Sequence, residues 1–576
     1  MEITHSGTAS WQQWLQKWFY PLLAAGIIVN ISGLFPTILE PDGALYATIA
    51  KTMAQSGDFI NLKVEGKDWL DKPHFPFWIA ALSYKVFGIN SFAYKLPALL
   101  FWAMGAWYTW KLAGAYYGKT VAQLSVLIYM TAAHLVISNN DVRAEPYLVG
   151  LITGSVYHYS RALTKTVSWH LVAGSLLAGC AAMTKGPFVL ITIGAGFIVD
   201  WVVKRDWKQW LHPRWWLALL LAGVFMLPEL YCLYKQFDAQ PQKIVFGAAG
   251  VSGLRFFFWD SQFGRFFNTG PIRGSGDPFF YFHTLLWAFL PWSLLLYAAL
   301  GWKLRATSRQ LRAASRLPRT ELAAHSSRLV ADREYIMIGT VVISFLVFSL
   351  SRFQLPHYIN ILFPFFAILL AQYLYAVQGV ATIRRIYWVQ AIVAGLLQLL
   401  VIVVAFLFGL SGLYLLWVLP CMLLAWLQPR HLAGVVTSTY VVGILLYGFL
   451  NWFFYPPLLH YQSGSEAARY INRQPPGGPV GMYGENSYSF AFYLDSPVHY
   501  WSRQDLRQAR GPVTVFTTQR WLDSLAADGM DVEPLRHFPH FHISQLTGTF
   551  INSATRAKAT EDYIVARVGP AKKNAP

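Results

Sequence analysis

The chain has 576 residues, 55% of them hydrophobic and only 13% charged, where a soluble domain carries about 25% charged residues. That balance excludes an ordinary soluble globular protein, and the apolar residues come in blocks of about 20, the length that crosses a ~30 Å hydrocarbon core. The formal net charge of +18 does not point to nucleic acid, because Lys and Arg gather in short loops between apolar blocks, where the positive-inside bias accounts for them.

The first 18 residues are polar and the apolar segment behind them is long enough to span, so no cleavable leader is expected. About thirteen spans are expected, at residues 18–38, 92–112, 121–136, 147–163, 169–183, 188–203, 215–233, 279–300, 335–350, 358–377, 387–410, 413–427 and 432–453. With the N-terminus cytoplasmic, the even-numbered spans end beside Lys119, Arg161/Lys165, Lys204/Arg205/Lys208/Arg214, the basic 303–334 loop, Arg384/Arg385 and Arg430. That loop includes Arg316, Arg319, Arg328 and Arg333. The bias therefore places the C-terminal region outside the membrane on the far face. Cys180, Cys232 and Cys421 are scattered in or near apolar segments and imply neither a disulfide framework nor a metal site.

The chain thus divides into a membrane domain, residues 1–455, with a large first outer loop at 39–91, and an outer domain, residues 456–576. In the first loop, Leu45, Ile49 and Met53 recur at helical spacing, as in an interfacial helix. The outer domain alternates helical and strand patterns: helices at 466–473, 487–494 and 519–528, strands at 480–483, 498–501, 513–517 and 563–568. Alternation of this kind reads as a small α/β domain. It contains no glycine motif for a nucleotide.

With that topology, unusual polar residues fall on one face. The first loop supplies Glu40, Asp42, Asp71 and Lys72; SNNDVRAEPY supplies Asp141, Arg143 and Glu145; TKGP supplies Lys185. The loop after the seventh span supplies Arg255, Asp260, Gln262, Arg265, Arg273 and Asp277, and SRFQLPHY supplies Arg352, Gln354 and His357. Ionisable groups at bilayer depth cost about 2.5–3.5 kcal/mol each on insertion scales, so they face a wet cavity or a partner. Carboxylates suit proton abstraction from a hydroxyl or amine. Lys and Arg suit a phosphate, and the neighbouring aromatics Tyr46 and Tyr281 suit packing on isoprenoid or sugar. The mixture fits a phosphate-linked lipid substrate.

At these residues the sequence resembles the bacterial GT-C glycosyltransferases related to protein O-mannosyltransferases and the aminoarabinose–lipid A transferase. The motifs are PDGALYATIAKTMAQSGDF with WLDKPHFPFW, RAEPYL, TKGP, QFGRF to DPFFYF with FLPW, and FSLSRFQLPHYINILFPF, in order along the chain. The resemblance implies a GT-C fold of about thirteen transmembrane helices with a C-terminal periplasmic α/β domain, in a bacterial inner membrane. It implies Asp42 as the catalytic or acceptor-positioning carboxylate, Glu145 as a second acidic position, and Lys72, Lys185 and Arg265 as donor-phosphate ligands. Asp71, Tyr46, Tyr281 and His357 are expected to complete the substrate site.

There are departures. An acid commonly follows the position of Asp42 and an Arg stands three residues on; here these are Gly43 and Leu45, leaving Arg143 or Arg352 to substitute. A His of the lipid A enzyme's metal site appears as Gln262, so no cofactor is called for and a divalent metal stays open. The expected activity is inverting transfer of a sugar from a polyprenyl-phosphate donor to a lipid, glycan or protein acceptor, with membrane lipids as the other partner. The alternative is a flippase for a lipid-linked sugar, which inverted repeats would favour; none is apparent.

Overall fold

The computed structural model describes residues 8–163, 168–315 and 334–571. Lys165, Arg316, Arg319, Arg328 and Arg333 lie outside the described residues. Helices fill the apolar blocks, among them Thr8–Ser32, Glu145–Ala162, Trp169–Lys185, Val189–Lys204, Pro213–Leu233, Ile336–Leu350, Val380–Phe408 and Leu432–Phe449. By length and composition four described helices suffice to cross a membrane, or five if one bent pair is a single span. The chain is a multi-pass membrane protein. Other apolar helices are shorter or broken, and the breaks carry much of the architecture.

Blocks 92–112 and 121–136 form two helical arms within Ser91–Met130, separated by non-helical backbone at Gly118. Its φ of +82° is one that residues with a Cβ rarely adopt. The two arms pack together: the Tyr129 hydroxyl donates to the Trp102 carbonyl at 2.9 Å, and the two rings stack 5.7 Å apart. The second arm then bends by 52° into Ala133–Asn140.

Block 279–300 is also split, into Phe280–Ala288 and Ser293–Ser315, because Pro291 in FLPW has no N–H to continue the ladder. The two breaks meet. The Ala133 N–H donates to the Leu290 carbonyl at 2.9 Å, the Trp292 indole to Thr131 Oγ1 at 3.0 Å, and the Gln390 amide to the Pro291 carbonyl at 3.2 Å. The Tyr447 hydroxyl lies 3.0 Å from both the Thr131 and Leu290 carbonyls. Irregular backbone at membrane depth persists only where it is satisfied in this way.

The loop 39–91 folds into the expected helix, Asp42–Ser56, then a hairpin of Lys63–Val64 with Lys67–Asp68, which was not expected, then a helix, Phe75–Phe87. Ile49 and Met53 are buried, so the helical spacing read from sequence does mark the packed face.

The C-terminal domain carries a five-stranded sheet. Val480–Tyr483 sits between His499–Trp501 and Val513–Thr518, all parallel, and Glu561–Ala571 and Met530–His540 extend it antiparallel. Met530–His540 was not expected as a strand. Pro534 and Pro539 disguise it, and it occupies the edge of the sheet, where a missing N–H is tolerated.

The short helix Tyr488–Tyr493 docks this domain onto the Asp42–Ser56 helix. Lys51, 8% exposed, donates to the carbonyls of Ala491, Phe492 and Leu494 at 3.0, 2.9 and 2.6 Å. At the other end Glu40 Oε1 accepts from Ser487 Oγ at 2.8 Å and the Ser489 N–H at 2.6 Å. Replacing Lys51 with Met strips these buried carbonyls of their donor, at about 1–3 kcal/mol per unsatisfied group. The expected result is faster release of the C-terminal domain in limited proteolysis; a cleavage rate equal to wild type would show that docking does not depend on Lys51.

Candidate active site

Polar side chains from the loop 39–91 and from the ends of several helices meet in one chamber of about 190 Å³. Asp42 opens the Asp42–Ser56 helix, Glu145 opens Glu145–Ala162, and Lys185 closes Trp169–Lys185. Asp71 and Lys72 stand just before Phe75–Phe87, Arg265 opens the short helix Arg265–Phe267, and His357 lies in the Pro356–Leu362 turn. All seven line the chamber with Tyr46, Arg143 and Tyr358.

Every carboxylate here holds a cation. Arg143 spans two acids, with Nη1 2.6 Å from Asp42 Oδ2 and Nη2 2.7 Å from Asp141 Oδ2. Asp71 engages both Lys72, at 2.5 Å, and Arg265. Glu145, 2% exposed, holds Lys185, with His357 Nε2 3.9 Å away. Lys185 also sits 3.6 Å over the Tyr358 ring, and Tyr46 is braced edge-on by Trp69 and Phe77. The four acids Asp42, Asp71, Asp141 and Glu145 thus balance Lys72, Arg143, Lys185 and Arg265. The cations are pre-placed by partners that an incoming anion has to outcompete.

A second, largely apolar groove of about 90 Å³ adjoins the chamber. Phe188, Val189, Phe266, Tyr281 and Phe348 line it, and Lys185, Arg265, Phe353 and Tyr358 border both spaces. Gly186, at φ +106°, leaves room for the Gln262 side chain, which lines this groove: a Cβ there would collide with Gln262 Nε2. A polar chamber rimmed with cations and continuous with an apolar groove suits an amphiphile with an anionic head.

Burial raises the pKa of the Asp71 carboxyl, but Lys72 and Arg265 pull it further down, below the ordinary carboxylate value. The pairing is therefore fully present above that ordinary value of about 3.9 and is lost only as pH falls through the lower, folded-state one. Asp71 should contribute no inflection to a pH–rate profile between about pH 5 and 8. The expected Asp71→Asn profile is lower than wild type but parallel to it. An acidic limb present in wild type and absent from the variant would show the opposite.

Residues 71–232 match the family model for dolichyl-phosphate-mannose-protein mannosyltransferase. The chain is 27% identical over 349 residues to the undecaprenyl phosphate-alpha-4-amino-4-deoxy-L-arabinose arabinosyl transferase of Edwardsiella ictaluri, covering 59% of this chain and 56% of that one. It is 26% identical over 392 residues to the enzyme of the same name from an Enterobacter species, covering 66% and 63%. The chain therefore spans less than two thirds of the length of these relatives. The crystal structure of ArnT from Cupriavidus metallidurans bound to undecaprenyl phosphate superposes with a TM-score of 0.69 at 18% identity, over 95% of this chain and 98% of that one. The chain has the GT-C fold of that structure.

Within that GT-C frame the expected residues separate into those the fold assembles and those it does not. Asp42, Tyr46, Asp71, Lys72, Arg143, Glu145, Lys185, Arg265 and His357 line the chamber, and Tyr281 lines the groove. Arg352 stands exposed outside both, its N–H donating to the Phe266 carbonyl at 3.0 Å. Of the two arginines weighed against the departure at Leu45, Arg143 is the one that reaches Asp42. Glu40 belongs to the docking of the C-terminal domain.

Sequence reasoning passed over Tyr358, which forms the border between the two spaces, although it adjoins His357 in the SRFQLPHY motif. Among the described residues no three His, Cys, Asp or Glu side chains gather as a metal needs, and the chamber carboxylates already hold lysine and arginine. Gln262 donates its amide to the Phe257 carbonyl and Ser261 Oγ. These residues do not fit a metal centre.

Proposed function

We propose that this protein is an integral-membrane glycosyltransferase that takes a sugar from a polyprenyl-phosphate donor and passes it, with inversion, to an acceptor hydroxyl or amine. The observation that carries this reading is the continuity of the cation-rich chamber with the apolar groove. The prenyl chain would lie along Phe188, Phe266, Tyr281 and Phe348, with its phosphate at the border formed by Lys185 and Arg265, within reach of Lys72.

Asp42 is the proposed base. Arg143 engages its Oδ2, which turns the carboxylate and leaves Oδ1 for the acceptor. In one displacement the acceptor heteroatom bonds to the anomeric carbon, the bond from that carbon to the phosphate oxygen breaks, and the acceptor proton passes to Asp42. The charge growing on the lipid phosphate is met by pre-placed cations, which cost no reorganisation at the moment of reaction. Glu145 holds Lys185 in place for this, with His357 and Asp71 as further positioning groups. Arg143 thereby serves Asp42, and Arg352 has no part in the reaction.

The Lys/Arg bias supports a cytoplasmic N-terminus in a bacterial inner membrane, with the chamber and residues 456–576 on the periplasmic face above the membrane domain. The names of the relatives give an undecaprenyl-phosphate sugar donor; among lipid, glycan and protein acceptors, a lipid of the lipid A type is favoured by the sequence resemblance to the aminoarabinose–lipid A transferase. The test is incubation of purified protein with a synthetic polyprenyl-phosphate sugar and a lipid A acceptor, read by mass spectrometry. A covalent glycosylated lipid is the expected product. Movement of the donor across liposomes with no covalent product for any acceptor class would overturn the reading in favour of a flippase.

A further inference from the structure

Glu229 is the only acidic or basic residue between Trp215 and Tyr234. It stands within the apolar helix Pro213–Leu233, with its side chain 0% exposed. An ionisable side chain in such a helix calls for a partner. The partner is His74, also 0% exposed. Glu229 Oε2 accepts the His74 backbone N–H at 2.9 Å, Glu229 Oε1 lies 3.0 Å from His74 Nδ1, and His74 Nε2 lies 2.9 Å from the Ile60 carbonyl. A carbonyl only accepts, so Nε2 carries a proton. A second proton is held between Nδ1 and Oε1, whichever atom owns it. The pair is therefore neutral as a unit and saturated, and it is sealed from the chamber, which neither residue lines.

Its position along the chain shows what it can act on. His74 follows Asp71-Lys72-Pro73 directly, and its carbonyl accepts from the Phe77 and Trp78 N–H groups at the start of Phe75–Phe87. Pro73 between them has a ring-fixed φ, so the setting of His74 passes to Lys72 with little slack. The same helical segment grips the loop at other points. Gln236 Oε1 accepts the Leu62 N–H at 3.0 Å and its Nε2 donates to the Leu62 carbonyl at 2.9 Å, and in the turn beyond the helix Lys243 lies 3.0 Å from Asp68.

We propose that Glu229, acting through His74, is a positioning residue that sets Lys72 for a lipid phosphate. This rests on the phosphate role given to Lys72 above. The effect comes from hydrogen bonds and needs no net charge on Glu229. A glutamine can accept the His74 N–H through its carbonyl and donate its amide to Nδ1, so Glu229→Gln should preserve the geometry, whereas Glu229→Leu should release it.

The experiment is a double-variant cycle on the purified full chain, read as the dissociation constant for undecaprenyl phosphate, with undecaprenol as the control lacking the phosphate. Glu229→Leu and Lys72→Met should each weaken phosphate-lipid binding about tenfold or more and leave undecaprenol binding alone. Glu229→Gln should stay within about threefold of wild type, and Glu229→Leu with Lys72→Met should be no weaker than Lys72→Met by itself, as expected of residues acting as one unit.

Additive losses in the double variant, or wild-type binding by Glu229→Leu, would overturn the proposal. So would a Glu229→Gln as weak as Glu229→Leu. If Lys72→Met binds as wild type, it is the phosphate role of Lys72 that fails. Should Glu229→Leu not survive purification, His74→Leu in the same cycle gives the same two readings.

Discussion

Replacing Asp42 with Asn should lower turnover by about 10²–10⁴-fold, the usual contribution of a positioned general base, while the donor binds as well as or better than in wild type. The two halves of this result have one cause. Asparagine keeps the shape and an acceptor for Arg143 but cannot take the acceptor's proton. Removing one of the four acids in a balanced chamber also leaves its four cations in excess by one, which favours an anionic donor. A phosphate ligand would behave oppositely, losing donor affinity on substitution. The measurement is kcat with the synthetic donor and lipid acceptor, alongside the dissociation constant for undecaprenyl phosphate. Wild-type turnover in Asp42→Asn would remove Asp42 from its proposed role, and weakened donor binding would move it to the phosphate.

The chamber was legible in the sequence because its residues are chemically out of place. Asp42, Glu145, Lys185 and His357 each stand beside an apolar block in turns that the Lys/Arg bias assigns to one face, so the expected topology groups them. What pairs with what was not legible. The Arg143–Asp42 contact joins residues 101 positions apart by sequence numbering, and nothing local distinguishes Arg143 from Arg352 as its donor. Glu229 and His74 escaped for a related reason: a lone acid near the end of an apolar block reads as a helix end, and its partner is 155 residues away.

The fold shows the same division. Hydrophobic periodicity locates Ile49 and Met53 on the buried face of their helix, and it places the strand at 480–483 where Val480–Tyr483 forms. Periodicity cannot show that the breaks at Thr131 and Pro291 satisfy each other, because that depends on Tyr447 and Gln390 from elsewhere in the bundle.

Glu145 and Lys185 give the second large effect, in which stability and activity should diverge. Glu145 is almost fully buried, and after Lys185→Met its remaining ion-pair neighbour among the described residues is His357 at 3.9 Å. Breaking a buried ion pair from one side costs about 3–5 kcal/mol, whereas removing both charges together is often neutral. Thermal unfolding in detergent should therefore rank Lys185→Met well below wild type, with Glu145→Gln added to Lys185→Met recovering most of the loss. Turnover should not recover. If Lys185 meets the charge growing on the leaving phosphate, its removal costs about 10²–10³-fold in kcat, as for a pre-placed donor, and neutralising Glu145 restores no cation. A double variant that regains both stability and turnover would make the pair a structural strut only, leaving Lys72 and Arg265 to carry the phosphate charge.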